Sequence, residues 1–454
     1  MVKKHLKQLS AFLWKNKFLI IIVGLGLFLR LYRLSNSTIF AWDQERDAFT
    51  IKQILVDKKL TLIGPRVVND HGFMLGPYFF YILLPFYLIA NLSPYSTILF
   101  MAVYNLIFLF FSFFILKKIF ASKIAYIFVF IWSVLPLAIS IDTISWNPLL
   151  VPLLFIVLLY FLTTLNFNQI KNWLILGFYL GFCFNIHVQL IILSFTAFIF
   201  LFIKISKKVF FKRVVFLFFG FLLSLLPLLI FDLRHDFLNI NLFLGFFQNG
   251  SSVKNPFAFI PVWTNYFASI FIIKSSILAI LFWLIMIVIL FFLSSKNKIN
   301  QILLFTWLFF PIIFIFYGQR PSEYYFNFCL PIIVLVFSQL IGQIKSKIFF
   351  CLFFLIGLFS IYFKFKKNII ESYSLTNKMA VVEYIGQVTN HRDFNISYSV
   401  PFGQNSGFSY IMDYLKIKPT NNPKDPLIQI IIPPQKDYPS FGDISVKLPY
   451  PFNQ

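Results

Sequence analysis

The feature that most constrains this chain is a series of long and nearly uninterrupted apolar segments. The first is "FLIIIVGLGLFL" (residues 18–29), and similar segments recur to about residue 365. About 20 apolar residues span a bilayer as a helix, and lipid offers no partners to unpaired backbone groups, so such segments must be helical. No small-residue cleavage site follows the first segment, which excludes a cleaved signal peptide. The sequence therefore predicts an all-α polytopic membrane protein.

Lysine and arginine are unevenly distributed among the connections between these segments. The short connections 140–147, 185–189 and 318–325 contain a single basic residue between them, Arg320. Basic connections are expected on the cytoplasmic side. The net charge of +23 is then explained by membrane orientation, and no nucleic-acid partner is expected. The basic group comprises the amino-terminal "KKHLK", "KKIFASK" (117–123), "KISKKVFFKR" (204–213), "SSKNK" (294–298) and "GQIKSK" (342–347).

This sidedness requires that "GPYFFYILLPFYLIANL" (76–92) does not cross the membrane. The segment contains Pro77 and Pro85 and is short for a span, so we expect it to lie in the outer leaflet. The predicted fold class is an all-α polytopic membrane domain that comprises residues 1–367. The protein is expected in the plasma membrane, with its N-terminus on the cytoplasmic side. Eleven spans are expected, at about 18–34, 95–116, 124–140, 148–165, 170–185, 189–204, 212–231, 264–293, 300–317, 324–341 and 348–365.

Residues 368–454 have a different character, which indicates a second domain. "NKMAVVEYIGQVT" and "SGFSYIMDYL" have helical spacing of apolar positions, whereas "FNISYSV" and "LIQIIIPP" are typical of strands. An odd number of spans would place this tail outside the cytoplasm. The sequence thus predicts a small extracytoplasmic α/β domain at the C-terminus.

The stretch "FAWDQERDAF" (40–49) concentrates four charged residues just after the first span. It opens a long outer loop (35–75), and long loops are often functional. Asp43 and Asp47 lie one turn apart on a predicted amphipathic helix. Asp43 could be only a helix N-cap, with Arg46 paired locally. Alternatively, one carboxylate is a general base at the membrane surface, where partial desolvation raises its proton affinity.

"WDQERDAF" resembles the "DE-x-R-Y-A" stretch of the GT-C glycosyltransferases, in particular the protein O-mannosyltransferases and the aminoarabinose transferase of lipid A. Asp43 falls on the leading Asp of that motif and Arg46 on its Arg, while Gln44 stands where a second acidic residue is expected. "LGPYFFYILLP" is similar to the Pro-rich segment of the family, although its His is not aligned and His71 lies a few residues earlier. "PLLIFDLRHDFLN" (227–239) resembles a segment of bacterial members.

The resemblance implies transfer of a sugar from a polyprenyl-phosphate donor to a hydroxyl or amine of a protein, lipid or glycan at the outer membrane face. It implies a single displacement with inversion and an Asp as general base. Fixed donors would stabilise the charge developing on the leaving phosphate. Partners would be the lipid-linked donor, the acceptor and membrane lipids.

The candidate site residues follow from these arguments. Asp43, Asp47 and Asp142 are the candidate catalytic residues, and Asp142 has the alternative of capping a helix end. Arg320 is the leading candidate for the donor phosphate because guanidinium binds phosphate in a fork. The remaining candidates for substrate binding are Arg46, Arg234, His71, Tyr324 and Asn147.

No cofactor is required by these residues, although some GT-C enzymes use a divalent cation such as Mg²⁺ or Mn²⁺. Asp70 and His71 could join Asp43 and Asp142 as ligands, but their spacing is not that of a metal site. The three Cys residues are expected to be small buried hydrophobes. The alternative function is a transporter or a lipid or glycan flippase without bond chemistry, for which a repeated half and broken mid-membrane helices would be expected. The sequence shows neither.

Overall fold

The structure, a computed structural model, describes residues 15–67, 72–248, 255–295, 297–344, 374–390, 392–420 and 422–449, together with Leu355, Gly357, Phe359 and Tyr362. Most of these residues are helical, as the apolar segments predict. The α-helices are α1 (Lys17–Leu31), α2 (Leu34–Ser37), α3 (Trp42–Leu55), α4 (Tyr78–Ile89), α5 (Ser96–Ile119), α6 (Ser122–Val134), α7 (Pro136–Ile141), α8 (Val151–Thr164), α9 (Ile170–Ile186), α10 (Ile191–Lys204), α11 (Lys207–Ser224), α12 (Leu226–Arg234), α13 (Leu238–Gln248), α14 (Ile260–Phe271), α15 (Ser276–Ser294), α16 (Lys298–Tyr317), α17 (Cys329–Gln343), α18 (Leu375–Thr389) and α19 (Phe408–Tyr414). Three 3₁₀ turns, Asn147–Leu150, Val188–Leu190 and Glu323–Phe326, complete the helical elements.

The helices follow the predicted spans closely, but the count of eleven spans stays a prediction. Within the described ranges, four helices are long and apolar enough to cross a membrane by themselves, Ser96–Ile119, Asn147–Thr164, Ser276–Ser294 and Lys298–Tyr317. A fifth is counted if α11 and α12, which meet at a bend of 62°, form one span. Five further apolar helices are shorter. The predicted span 348–365 lies almost entirely outside the described residues.

Three predicted spans are wrong as single helices, because the structure divides each of them into two: 124–140, 212–231 and 264–293. The last shows the widest break. The chain breaks between α14 and α15, where Ile272 adopts a left-handed φ of 63°. Ser275 then caps α15 by accepting a hydrogen bond from the backbone N–H of Leu278. Lys274 is exposed in this break and is not part of a helix. Uniform apolarity cannot reveal such a break, because both helices carry the same residue types.

The segment 76–92 is a short helix, as predicted. α4 has 12 residues and contains Pro85, so its length of about 18 Å is less than the bilayer thickness. Before it, the chain forms a bridge between Arg66 and Met74. Phe73 packs there against Phe184 and Phe243, and Asn239 receives the Met74 backbone N–H at 2.6 Å. The end of the first loop is thereby fixed to α9 and α13.

Contacts between loops support the predicted partition of connections into two groups. Among the basic connections, the Lys123 ammonium donates to the carbonyl of Gly342 at 2.7 Å. In the other group, the amide nitrogen of Asn147 donates to the carbonyl of Ile186 at 2.8 Å. Loops that touch must lie at the same end of the helix bundle. The orientation of the termini relative to the membrane stays a prediction.

Residues 374–449, called the C-terminal segment below, contain a four-stranded sheet, in which the sequence predicts two of the strands, β1 and β2. Its strand order is β1 (Asn395–Ser399), β2 (Leu427–Ile431), β4 (Ile444–Lys447), β3 (Ser440–Phe441). β1 and β2 are parallel, and the other two pairs are antiparallel. Ile428 and Ile430 of β2 and Val446 of β4 are fully buried, and α18 packs against β3 and β4.

Candidate active site

Two carboxylates and one guanidinium form an ion triad on the first two turns of α3. Arg46 contacts Asp43 at 2.8 Å and Asp47 at 2.6 Å. The side chain of Asp43 is 44% exposed, whereas that of Asp47 is 1% exposed. Burial raises the pKa of Asp47 to about 7 against the opposing effect of Arg46. The triad thus presents one accessible carboxylate, Asp43, and one that is withdrawn from solvent.

The start of α3 is fixed by Gln44, which replaces the acidic residue expected there. The helix begins at Trp42, so the interpretation of Asp43 as its N-cap is wrong. The Gln44 side chain instead accepts a hydrogen bond from the Ala41 backbone N–H at 3.0 Å, as in one half of a capping box. Its amide nitrogen donates to the Ser145 carbonyl at 2.7 Å. A carboxylate could make only the first of these bonds.

Three connections between helices, 140–147, 185–189 and 318–325, converge beside the triad. Trp146 and Tyr324 are in edge contact, with ring centroids 4.8 Å apart. The His187 ring is in edge contact with the Tyr324 ring, with centroids 5.6 Å apart. The Gln189 amide, oriented to satisfy its neighbours, donates to the carbonyls of Tyr324 and Tyr325 at 2.9 Å. Burial raises the pKa of Tyr324, and the nearby charge of Asp43 adds to that rise. The sequence-predicted residues Asp43, Asp47, Arg46, Tyr324 and Asn147 therefore lie in one region.

Comparisons with known proteins address the fold directly. The chain is similar in structure to ArnT from Cupriavidus metallidurans bound to undecaprenyl phosphate, with a TM-score of 0.57 and 10% identity over 92% of this chain and 93% of that one. The apo state of the same protein gives a TM-score of 0.54 and 11% identity over 93% and 94%. Residues 70–231 match the family model of dolichyl-phosphate-mannose-protein mannosyltransferases. The chain therefore shares the fold of ArnT, and its residues 70–231 resemble that mannosyltransferase family. A comparison with curated protein sequences gives no match.

The GT-C resemblance predicted from "WDQERDAF" is thereby confirmed at the level of the superfamily. Both comparisons also agree with a multi-pass membrane protein. Sequence identity to ArnT is low, so the structural similarity concerns the fold.

Asp142 belongs to a buried ion pair. Its Oδ2 receives hydrogen bonds from Arg30 Nε at 2.9 Å and from Trp132 Nε1 at 2.8 Å. Both charged side chains are fully buried. Arg30 also donates to the carbonyls of Gly26, Trp132 and Ser133. This arrangement fixes the loop that follows Asp142 to α1 and leaves the carboxylate without access to a substrate.

The two candidate phosphate-binding cations differ from Arg46 of the triad in exposure and in pairing. Arg320 and Arg234 are both exposed. Neither side chain makes a hydrogen bond or ion pair with another residue in the described part of the chain. Arg320 lies four positions before Tyr324 on the same connection, and Arg234 ends α12. His71, like Asp70, lies outside the described residues.

The described residues include no group of three or more His, Cys, Asp or Glu side chains arranged to hold a metal ion. Two of the four residues considered as ligands, Asp43 and Asp142, are paired with different arginines. The other two fall outside the described ranges. Metal dependence stays a prediction that the resemblance leaves open.

Sequence reasoning missed several residues that join α3 or its start to the C-terminal segment. Glu45 receives the Tyr410 backbone N–H at 3.0 Å, and Lys52 pairs with Asp413. Trp42, which precedes Asp43, is in edge contact with Phe402, with centroids 5.2 Å apart. Lys378 donates to the carbonyl of Phe40. Each of these contacts joins α3 or its start to the C-terminal segment, and no local sequence signal reveals such a pairing.

Proposed function

We propose that the protein is a glycosyltransferase that moves a sugar from a polyprenyl-phosphate donor to a hydroxyl or amine acceptor at the outer face of the membrane. The GT-C fold and the family match support sugar transfer in general. The observation that carries the assignment of the site is the exposed Asp43 carboxylate. It lies where α3 meets the connections that carry Trp146 and Tyr324.

Asp43 is the proposed general base. One of its oxygens accepts the proton of the acceptor hydroxyl or amine as the acceptor atom forms its bond to the anomeric carbon. The bond between that carbon and the phosphate oxygen breaks, and the electron pair leaves with the polyprenyl phosphate. A single displacement of this kind inverts the anomeric configuration. Arg46 holds the Asp43 carboxylate in place at 2.8 Å, which pre-organises the base before the acceptor arrives.

Asp47 and Asp142 act as positioning residues in this proposal. Asp47 is buried and pairs with Arg46, so it orients the guanidinium that in turn holds Asp43. Asp142 anchors the loop that carries Ser145 and Trp146 to α1. Neither carboxylate is exposed to an incoming acceptor.

Arg320 is the proposed contact for the donor phosphate. It is exposed, it lies on the connection that carries Tyr324, and it is free of other polar contacts within the described residues. Its fork of N–H donors matches phosphate oxygens, and charge that develops on the leaving group is stabilised best by fixed donors. Arg234 is the second candidate, on the outer end of α12.

Buried polar atoms without partners add support for a ligand near Asp43. Trp146 Nε1 and Asn327 Nδ2 have no hydrogen-bond partner among the described residues. Asn327 follows Tyr324 closely and donates its backbone N–H to the Tyr324 carbonyl at 3.0 Å. Buried polar groups are normally satisfied. These atoms are the ones that a bound oxygen-rich ligand or an ordered water would satisfy.

The test is a transfer assay on the purified protein in lipid nanodiscs with a panel of radiolabelled polyprenyl-phosphate sugars. The wild type is expected to release polyprenyl phosphate from at least one donor and to form a new glycoside detectable by mass spectrometry. Asp43→Asn is expected to lower turnover by at least 10²-fold, the range of general base catalysis, while binding of undecaprenyl phosphate is retained. Asp57→Asn, an exposed acid beyond the end of the same helix, is the matched control.

Two results would reject the proposal. Full turnover in Asp43→Asn would show that Asp43 is not the general base. Movement of a labelled lipid across the bilayer without formation of any glycoside would instead favour the transporter or flippase alternative.

A further inference from the structure

The side-chain amino group of Lys378 is buried between the C-terminal segment and the start of α3. It donates to the carbonyl of Phe40 at 2.9 Å and to the carbonyl of Ser406 at 2.5 Å. It also lies over the Phe408 ring, 5.0 Å from the ring centroid. Lys378 is 0% exposed, and buried lysines are rare unless their polar atoms are satisfied.

The carbonyls of Phe40 and Ser406 belong to backbone stretches that lie next to the start of α3. Phe40 is three residues before Asp43, directly ahead of the first turn of α3. Ser406 closes a tight loop through a hydrogen bond from its hydroxyl to the Gly403 carbonyl. That loop carries Phe402, which contacts Trp42. One amino group therefore holds the two backbone stretches that flank Trp42 and Asp43.

The bonding of Lys378 is that of a cross-link between backbone segments. No carboxylate lies within ion-pair distance of it in the described part of the chain. Burial lowers its pKa to about 7, and the nearby charge of Glu45 opposes that change. A neutral amine carries two N–H donors, and two backbone carbonyls are present to receive them. The contact is therefore retained in either protonation state.

A second tie between the same two parts of the protein lies one turn further along α3. Glu45 Oε1 accepts the backbone N–H of Tyr410 at 3.0 Å. The Tyr410 ring is in edge contact with Phe49 at 5.1 Å, and its hydroxyl donates to the Leu92 carbonyl at 2.7 Å. The C-terminal segment thus contacts α3 on the turn that carries the triad.

We propose that Lys378 is a positioning residue for Asp43, and that the C-terminal segment sets the geometry of the site through it, with Glu45 as the second tie. This inference rests on the proposed function in naming Asp43 as the base. Lys378 itself does not touch the substrate. Its cross-link fixes the backbone that enters α3, and a shift of about 1 Å at a reacting group is enough to lower a rate by 10²-fold.

The experiment compares Lys378→Met with Lys52→Met in the full-length protein in nanodiscs. Methionine keeps the chain length and apolar contacts of Lys378 but removes both hydrogen bonds. Lys52 also joins α3 to the C-terminal segment, through Asp413, but lies nine residues from Asp43, about 13 Å along the helix. Amide hydrogen exchange over residues 39–47 is measured together with kcat and with binding of undecaprenyl phosphate.

Lys378→Met is expected to raise exchange at residues 39–47 at least tenfold and to lower kcat at least tenfold, with affinity for undecaprenyl phosphate unchanged. Lys52→Met is expected to change neither. Ethylamine added to Lys378→Ala is expected to restore part of kcat, which a loss of packing alone would not allow. If Lys378→Met does not fold, Glu45→Ala tests the second tie and is expected to change exchange in the same direction.

Unchanged amide exchange over residues 39–47 in Lys378→Met would overturn the inference. If the wild type is active, an unchanged kcat in Lys378→Met would also overturn it. A wild type that transfers no sugar, combined with raised exchange in Lys378→Met, would reject the proposed function and leave the positioning role in place. The two failures are thus distinguishable.

Discussion

The Gln44 amide donates a hydrogen bond to the carbonyl of Ser145 at 2.7 Å across 101 residues of sequence. This contact joins the helix that carries the ion triad to the loop that carries Trp146. Through Trp146 it extends to Tyr324, whose ring lies 4.8 Å away. The relative position of Asp43 and the Trp146–Tyr324 pair therefore depends on the Gln44 side chain, which both accepts and donates a hydrogen bond.

Gln44→Glu is expected to destabilise the protein by about 2 kcal/mol, because it removes the donor and places a buried carboxylate against the Ser145 carbonyl. The measurement is thermal or denaturant unfolding in detergent, followed by tryptophan fluorescence. Gln53→Glu makes the same chemical change at an exposed position of the same helix and is expected to change stability by less than about 0.5 kcal/mol. Equal effects of the two substitutions would show that the Ser145 contact is unimportant.

Asp142→Asn is expected to destabilise the protein by about 3–5 kcal/mol, because it leaves the fully buried Arg30 guanidinium without its counter-charge. Turnover per folded molecule is expected to stay within about threefold of the wild type, because Asp142 does not face a substrate. The measurement combines an unfolding midpoint with active-site titration of the folded fraction. A variant that folds normally and loses turnover would restore Asp142 to the list of catalytic residues.

The stability of the protein is expected to fall as pH rises from about 4 to about 7, as far as Asp47 contributes. Its pKa is raised to about 7 in the folded state, against an ordinary value of about 3.9 in the unfolded chain. Between these values the folded state binds the additional proton, so removal of protons favours unfolding. The midpoint of thermal unfolding in detergent, measured across this pH range, checks the prediction.

Asp47→Asn is expected to flatten that pH dependence, because it removes the group that titrates. Asp57→Asn, at an exposed position, is expected to leave the slope as in the wild type. A slope that persists in Asp47→Asn would assign it to another group.

Arg320→Gln is expected to weaken binding of undecaprenyl phosphate by about 10- to 100-fold, the range for loss of a charge-assisted hydrogen bond. Arg320→Lys should be intermediate, because lysine keeps the charge but not the fork of donors. Binding is measured by native mass spectrometry in nanodiscs, with undecaprenol as the ligand that lacks phosphate. Lys436→Gln, an exposed cation of the C-terminal segment, is the control. A loss that is equally large with undecaprenol would show that Arg320 does not bind phosphate.

Several elements of the fold were determined by local sequence. The apolar runs predicted helices that the structure places at Lys17–Leu31, Ser96–Ile119 and Lys298–Tyr317. The apolar spacing of the first loop predicted the buried face of α3, where Ala48 and Ile51 are fully buried. Distribution of basic residues predicted which connections lie together. These features depend on period, length and charge, which are properties of short stretches of chain.

Tertiary structure alone decided the partners of the polar side chains. Arg30 and Asp142 are 112 residues apart in sequence, and Lys378 lies 338 residues from Phe40. An acidic residue at the end of a span looks the same in the sequence whether it faces a substrate or a buried arginine. The register of packed apolar helices is set by contacts among many similar side chains, so the sequence does not reveal which loops meet. The sequence by itself therefore determined that Asp43 lies on a short amphipathic helix after the first apolar segment, and only the packing of distant segments decided that it is the exposed member of its triad.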